Sequence, residues 1–111
     1  MIAPLVGLPI TGVLWYQGEA NQRQGNKYAC QLRALITDWR ARFARPPASA
    51  GWPFAFTTVQ LAAAGGDGVI RLAQQRSLSL PRTGMAVTLD LYDAASPCGA
   101  VHTRHKNETA E

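Results

Sequence analysis

The sequence lacks the features that mark several common classes of protein. It has no internal repeat, no low-complexity tract and no apolar run near the roughly 18 residues that a membrane-spanning helix needs. Its apolar N-terminus carries neither a basic region nor a cleavage site, so we do not interpret it as a signal peptide. These absences favour an ordinary globular protein.

Cysteine is also scarce. Cys30 and Cys98 stand far apart, in no Cys-x-x-Cys or Cys-x-x-His context, which argues against a zinc site. Two cysteines alone do not establish a disulfide. Cys30 falls inside a predicted helix, where we expect it to be a buried free thiol.

The charge of the chain is basic but not concentrated. Its net charge is +4 and its isoelectric point is near 9.6, yet its Lys and Arg residues are spread along the sequence. Nucleic-acid-binding proteins cluster these residues together with aromatic side chains, so we expect no nucleic-acid partner. A length of 111 residues suffices for one domain or for part of one.

Apolar periodicity predicts an alternation of strands and helices in the order β-α-β-α-β. The predicted strands are Gly12–Tyr16, Pro53–Leu61 and Met85–Leu89, the predicted helices are Asn26–Phe43 and Val69–Leu80, and Lys106–Glu111 has the pattern of a further helix start. Each crossover is long enough for a helix, which favours parallel strands. The second strand is apolar on both faces, as in a sheet that is covered on both sides. The predicted fold class is therefore α/β.

Proline and glycine mark the predicted connections. Pro46 and Pro47 end the first helix, and Pro81 stops the second. Between these points we predict a turn at Ala48–Gly51 and a flexible loop at Gly65–Gly68.

The first predicted strand runs directly into a polar loop that delivers Gln17, Glu19 and Asn21 beside the flexible backbone of Gly18. In open α/β sheets, ligands bind just beyond the carboxyl ends of the strands. Since the loops after parallel strands open on the same sheet edge, the sequence predicts a site there.

Each side chain in this loop has a structural alternative. The Gln17 and Asn21 amides are suited to stabilise an oxyanion, but they are equally suited to cap the following helix or to hold the turn. Capping is favoured for Asn21, and the two roles are even for Gln17. Glu19 is either a general base or the partner of a basic residue such as Arg71, and we favour the ion pair.

The loop after the third strand carries the second group of candidates. His102 is either a general base or a surface residue, while His105 has the context of a surface residue. Asp90 and Asp93 are suited to orient His102 or to cap a turn. The spacing of His102, His105 and Asp93 fits no specific ligand pattern, so we predict no metal site.

Several blocks of the sequence resemble one enzyme family. Residues 15–21, Trp-Tyr-Gln-Gly-Glu-Ala-Asn, resemble the Trp-Tyr-Gln-Gly-Glu-Ser-Asn segment of sialate O-acetylesterases. Further along, Arg71 to Gln74 resemble the Arg-x-x-Gln helix of that family, residues 84–91 resemble its last strand, and residues 101–106 resemble its Ile-His-Pro-Arg-Asp-Lys segment. These enzymes are serine esterases of the SGNH-hydrolase type with a three-layer α/β/α flavodoxin-like fold. The resemblance implies that fold here, as a partial β-α-β-α-β unit.

The resemblance also implies a chemistry and roles for particular residues. It implies removal of acetyl groups from an O-acetylated sugar such as sialic acid, without a cofactor. His102 would take the proton from a serine nucleophile, and the Gln17 amide would contribute to the oxyanion hole. Gly18, Glu19 and Asn21 match positions that line the substrate pocket.

Several positions depart from the family pattern. The N-terminal Gly-Asp-Ser motif that carries the nucleophile is missing, and none of the four serines, which are Ser49, Ser77, Ser79 and Ser96, follows Gly-Asp. Gly99 stands where an Asp-x-x-His pattern would place an aspartate, so Asp93 is the nearest replacement and a Ser–His dyad is the alternative. Thr103 and Ala20 replace a proline and a serine.

These departures lead us to expect that residues 1–111 are the C-terminal portion of a catalytic domain and are inactive alone. Two other hypotheses stay open: a non-catalytic sugar-binding module, and a truncated chain with no stable fold. The resemblance suggests a location outside the cytoplasm.

Overall fold

The computed structural model describes residues 2–43, 53–63, 68–100 and 102–110. The turn predicted at Ala48–Gly51 lies outside the described residues, as does all but the last residue of the loop predicted at Gly65–Gly68. The described strands and helices are, in chain order, β1 (Gly12–Trp15), α1 (Gly25–Arg42), β2 (Ala55–Gln60), α2 (Val69–Gln75), β3 (Thr83–Val87) and α3 (Lys106–Ala110). This order confirms the predicted alternation.

The strands form a parallel sheet in the order β1-β2-β3. Val13 is paired with Phe56 across the first interface, and Thr58 with Met85 across the second. This arrangement brings the loops that follow β1, β2 and β3 to one edge, because all three strands run in the same direction. The fold class predicted from the sequence is confirmed.

The core lies between the sheet and α1. On α1, the side chains of Tyr28, Leu32 and Ile36 recur every four residues and are buried, because this spacing places them on one helical face. They meet Phe56 of β2, which is completely buried. Trp39 packs edge-on against Trp15, with 5.8 Å between ring centroids. This packing fixes α1 across the first two strands.

The prediction that the Cys30 thiol is buried is wrong, whereas the prediction that it is free is confirmed. The thiol is exposed on α1 because its helical position lies away from the buried stripe. Cys98 is exposed as well, and both cysteines are free.

The second helix is shorter than predicted. Regular helix ends at Gln75 and continues as a 3₁₀ turn over Arg76–Ser79. The Ser77 hydroxyl donates to the Gln74 carbonyl at 2.8 Å and the Ser79 hydroxyl to the Arg76 carbonyl at 2.9 Å. Such local serine bonds compete with the backbone bonds of a helix.

The two faces of the sheet are covered unequally. Helices α1 and α2 pack together on one face, whereas α3 lies over part of the other, beside Ala86 and Val59. Val59 is buried on that second face, but Leu14 of β1 is 86% exposed. Covering on both sides therefore holds for the end of β2 and not for β1. No described helix is both long and apolar enough to cross a membrane.

Candidate active site at the carboxyl edge of the sheet

The loop after β1 is held by hydrogen bonds to both its backbone and its side chains. The Gln17 amide nitrogen donates to Oδ1 of Asn21 at 2.9 Å. The Gln17 carbonyl oxygen accepts from the Tyr28 hydroxyl at 3.0 Å and from the Gln74 amide at 3.1 Å. Asn21 therefore holds Gln17, and the capping role predicted for it is wrong, since the N-cap residue of α1 is Gln24, which makes no side-chain cap.

Gly18 is needed for the path of this loop. Its φ of +146° lies in a region that other residues rarely adopt. A Cβ atom on Gly18 would lie 3.1 Å from Cδ1 of Leu61 and 3.4 Å from Nε2 of Gln74. Both the backbone conformation and the close packing therefore require glycine, which lets Gln17 and Glu19 follow each other around a tight turn.

Gln74 on α2 fixes this edge of the sheet and was missed as a functional position by reasoning from the residues alone. Its side chain is completely buried. Its amide nitrogen donates to the carbonyls of Gln17 and Val59, at 3.1 and 3.0 Å, and its Oε1 accepts from the Leu61 N–H at 3.0 Å. One side chain thus joins the ends of β1 and β2. The available signal was a glutamine on the buried face of the helix, in the block that resembles Arg-x-x-Gln.

Tyr28 supports the same loop from α1. Its hydroxyl accepts from Nε1 of Trp15 at 3.4 Å and donates to the Gln17 carbonyl. Burial raises the pKa of the Tyr28 phenol, so it stays protonated and keeps this donor role across the neutral range.

Glu19 is half-buried at the start of a 3₁₀ turn, and the predicted ion pair with Arg71 is wrong. The Arg71 guanidinium folds back beside Gly68 instead. Within the described part of the chain, Glu19 makes no ion pair.

The loop after β3 is organised by Asp93, which is 6% exposed. Its carboxylate accepts from Nε and Nη2 of Arg104, at 2.7 and 3.0 Å. It also accepts from the backbone N–H groups of Ala95 and Arg104, both at 3.2 Å. The Arg104 guanidinium, helped by these backbone donors, lowers the pKa of Asp93 to about 2.

The His102 side chain is exposed, whereas its backbone is held. Its N–H donates to the Gly99 carbonyl at 2.8 Å, and its carbonyl accepts from the Ser96 hydroxyl at 2.6 Å. No hydrogen bond joins the imidazole to Asp93 or to any other residue that the structure describes. His105 pairs with Glu108 at 2.7 Å, and Asp90 is exposed.

One contact joins the two loops. The ammonium group of Lys106 lies 4.1 Å from the centre of the Tyr16 ring. Tyr16 directly precedes Gln17, and Lys106 follows His102 by four residues. The structure therefore brings together the two chain segments that carry the sequence-predicted candidates.

Two further features of the described surface bear on the location of a site, a cavity and the possible metal ligands. A cavity of about 770 Å³ lies along the outer face of α1 near Arg76, away from both loops. Among the described residues, no group of three or more His, Cys, Asp or Glu side chains is arranged to hold a metal ion.

Comparison with known proteins identifies relatives over nearly the whole chain. A family model described as "SASA: Carbohydrate esterase, sialic acid-specific acetylesterase" matches residues 3–109. The sialate O-acetylesterase of Homo sapiens is 36% identical over 127 residues, which cover 99% of this chain and 24% of the human protein. That of Rattus norvegicus is also 36% identical, over 99% of this chain and 23% of its own length.

A solved structure shows the same similarity. The chain superimposes on a carbohydrate acetylesterase from Xanthomonas citri with a TM-score of 0.79 at 36% identity. The match covers 97% of this chain and 25% of that one. The chain thus spans about a quarter of the length of each of these relatives.

Proposed function

Because the chain belongs to the carbohydrate esterase family of sialic acid-specific acetylesterases, we propose that it forms part of an enzyme that removes O-acetyl groups from sialic acid or a related sugar. The reaction is serine–histidine ester hydrolysis, and the serine comes from a segment outside these 111 residues. The observation that carries the proposal is the Lys106–Tyr16 contact, which joins the histidine loop to the Gln17 loop. Residues 1–111 then form a partial esterase domain.

His102 is the general base in this proposal. An imidazole with no described hydrogen-bond partner is free to accept a proton from an incoming hydroxyl. It takes the proton of the serine as the oxygen attacks the acetyl carbonyl, and returns it to the sugar oxygen that leaves. Water then releases acetate from the serine by the same route.

Gln17 stabilises the negative charge that forms on the carbonyl oxygen. A glutamine amide has two N–H donors, and Asn21 accepts one of them. The second remains for the oxyanion, in an orientation that the Asn21 bond helps to fix. Such a donor lowers the barrier by about 3 to 4 kcal/mol. Gly18, Glu19 and Asn21 line the sugar-binding side, where the Glu19 carboxylate accepts hydrogen bonds from sugar hydroxyls.

The described serines are already used within the fold, which supports an external nucleophile. The hydroxyls of Ser77 and Ser79 donate to carbonyls at the end of α2. That of Ser96 donates to the His102 carbonyl. Ser49 lies outside the described residues. The same observation favours the second candidate function, a sugar-binding module without catalysis. A location outside the cytoplasm is part of the proposal and follows from the family resemblance alone.

Ester hydrolysis tests the proposal. The assay compares the chain alone with a chimera in which residues 3–109 replace the matching quarter of human sialate O-acetylesterase. Substrates are p-nitrophenyl acetate and an O-acetylated sialic acid. We expect no activity from the chain alone, activity from the chimera, and a loss of roughly a thousandfold or more on His102→Ala. His105→Ala is the matched control and should stay active.

Three outcomes would contradict the proposal. Activity of the chain alone would place the nucleophile within it. Full activity of the His102→Ala chimera would remove the assigned base. Sugar binding by the chain, together with a folded but inactive chimera, would favour the binding module.

A further inference from the structure

Asp93 has no capacity left to contact an imidazole directly. A carboxylate offers about four acceptor positions. In Asp93, Oδ1 accepts from Ala95 N–H and Arg104 Nη2, and Oδ2 accepts from the Arg104 N–H and Nε. All four positions are therefore taken by other donors, and a direct Asp93–imidazole bond would require one of them to break.

The backbone leads from Asp93 to His102 through three successive turns. Ser96 N–H donates to the Asp93 carbonyl at 3.1 Å, and Gly99 N–H to the Ser96 carbonyl at 3.1 Å. His102 N–H then donates to the Gly99 carbonyl at 2.8 Å. Gly99 permits this path because its φ is +95°. The position of His102 is therefore determined by a chain of bonds that starts at Asp93.

Arg104 closes this chain of turns into a ring. It lies two residues after His102 and returns to Asp93 through both its side chain and its backbone. Thr103, between them, is 4% exposed, so the segment is also anchored by burial. A bidentate arginine–carboxylate pair adds directional constraint as well as attraction.

We propose that Arg104 and Asp93 are positioning residues for His102, which they hold through the backbone ring rather than through a contact with the imidazole. The role rests on the proposed function, since it matters for catalysis only if His102 is the base. The ring itself is a property of the chain and is measured without any substrate.

The first test is hydrogen exchange on the isotopically labelled full chain at neutral pH. In the unsubstituted chain, the His102 amide should exchange at least roughly tenfold more slowly than an unstructured amide, because its hydrogen bond must open first. Arg104→Gln and Asp93→Asn should each speed that exchange roughly tenfold or more, because a charge-assisted pair is lost. Arg104→Lys keeps the positive charge but loses the two parallel N–H donors of the guanidinium. Its His102 exchange rate should therefore lie between those of the unsubstituted chain and Arg104→Gln.

Arg42→Gln is the matched control. It removes the exposed Arg42–Asp38 pair, whose closest atoms lie 2.6 Å apart against 2.7 Å for Arg104–Asp93, and it should leave His102 unchanged. The imidazole signals of His102 should move toward random-coil values in Arg104→Gln, whereas those of His105 should not. Two results would contradict the proposal that the ring holds His102. One is an unprotected His102 amide in the unsubstituted chain. The other is a His102 amide exchange rate and imidazole signals that are unchanged in both Arg104→Gln and Arg104→Lys.

The second test separates positioning from mere stability. In an active chimera, Arg104→Gln should lower kcat roughly ten- to a hundredfold with little change in KM, because a displaced base slows proton transfer without removing a sugar contact. Partial recovery is expected in Arg104→Lys. An unchanged kcat would overturn the positioning role. An inactive chimera with a protected His102 amide would instead contradict the proposed esterase function and leave the ring intact.

Discussion

At the scale of single residues, buried polar side chains determine the geometry of the site. Gln74 pairs with the Val59 carbonyl and the Leu61 N–H, and it shares the Gln17 carbonyl with the Tyr28 hydroxyl. An unsatisfied buried group costs about 1 to 3 kcal/mol. Since two of these groups belong to the strand ends that hold Gln17 and Leu61, the stability of the sheet edge and the placement of Gln17 depend on the same amide.

We therefore expect Gln74→Ala to lower the free energy of unfolding by about 3 kcal/mol, because the Val59 carbonyl and the Leu61 N–H lose their partner. Urea denaturation measures the difference. Gln75→Ala is the control: this neighbour on α2 is exposed, and the change should stay within about 0.5 kcal/mol. Equal effects of the two substitutions would contradict the assigned role.

Asp93 makes the stability of the chain dependent on pH. Its pKa is lowered to about 2 in the folded chain, chiefly by the Arg104 side chain, from an ordinary value of 3.8. As the pH falls, the Asp93 carboxyl becomes protonated at a higher pH in the unfolded chain than in the folded chain. The contribution of Asp93 to the free energy of unfolding is therefore complete above about pH 4 and is lost as the pH falls toward 2.

The urea midpoint of the unsubstituted chain should consequently exceed that of Asp93→Asn at pH 6, and the gap should shrink steadily as the pH falls from 4 to 2. Asp38→Asn, which removes an exposed pair on α1, serves as the comparison. A gap that stays constant over this range would show that Asp93 is not held by its charge.

At the scale of elements, the sequence predicts most of the structure because periodicity and strand length are local properties. The bounds of α1 differ from the prediction by one residue at each end. The predicted end of α2 is wrong because the hydroxyls of Ser77 and Ser79 donate to backbone carbonyls, and such bonds compete with the backbone hydrogen bonds of a helix. The start of β3 depends on pairing with Phe56, which is a contact distant in sequence.

The candidate site was predicted less completely than the fold, for a related reason. Strand direction places the loops that carry Gln17 and His102 at one end of the sheet, while the catalytic roles of both residues stay predictions. The partners of Asp93, Glu19 and Asn21 are set by side-chain geometry, which spacing along the chain does not encode. Gln74 acts through contacts 13 to 57 residues away, and no local pattern reveals such contacts.

The close approach of α1 and α2 yields a further prediction. A Cβ on Gly25 would overlap the Val69 side chain, whose branched form leaves it little freedom to move. Gly25→Ala should therefore lower the free energy of unfolding by about 1 to 3 kcal/mol, although alanine is the better helix former. Val69→Ala in the same chain should recover most of the loss, and urea denaturation of the double-mutant cycle measures the coupling. Simple additivity would contradict the overlap.

At the scale of the whole molecule, the amino ends and the carboxyl ends of the strands are held by side chains from different helices. Arg40 of α1 donates to the carbonyls of Phe54 and Arg82, which precede β2 and β3, at 2.9 and 3.1 Å. Gln74 of α2 performs the equivalent function at the opposite ends. The sheet face that α1 and α2 cover buries Phe56 and Thr58 completely, whereas the opposite face leaves Leu14 86% exposed.

Exposed apolar side chains on a sheet face promote association. We expect the chain to self-associate as its concentration rises, and Leu14→Thr to reduce that association while changing the free energy of unfolding by no more than about 0.5 kcal/mol. Sedimentation velocity measures the first effect and urea denaturation the second. Lys27→Thr, on the exposed side of α1, is the control. If Leu14→Thr left the association unchanged, the associating surface would lie elsewhere on the chain.

The Lys106–Tyr16 contact has a mechanical consequence. An exposed cation–π interaction contributes about 0.5 to 1 kcal/mol, which is close to the thermal energy. Inside each loop, by contrast, several hydrogen bonds act together. The described contact between the two loops is thus weaker than the bonds within each loop, so we expect the separation between the proposed base and the proposed oxyanion donor to change more easily than the geometry of either loop. A polypeptide or sugar that touches both halves would set that separation, and catalytic competence would then belong to the assembled complex rather than to either loop.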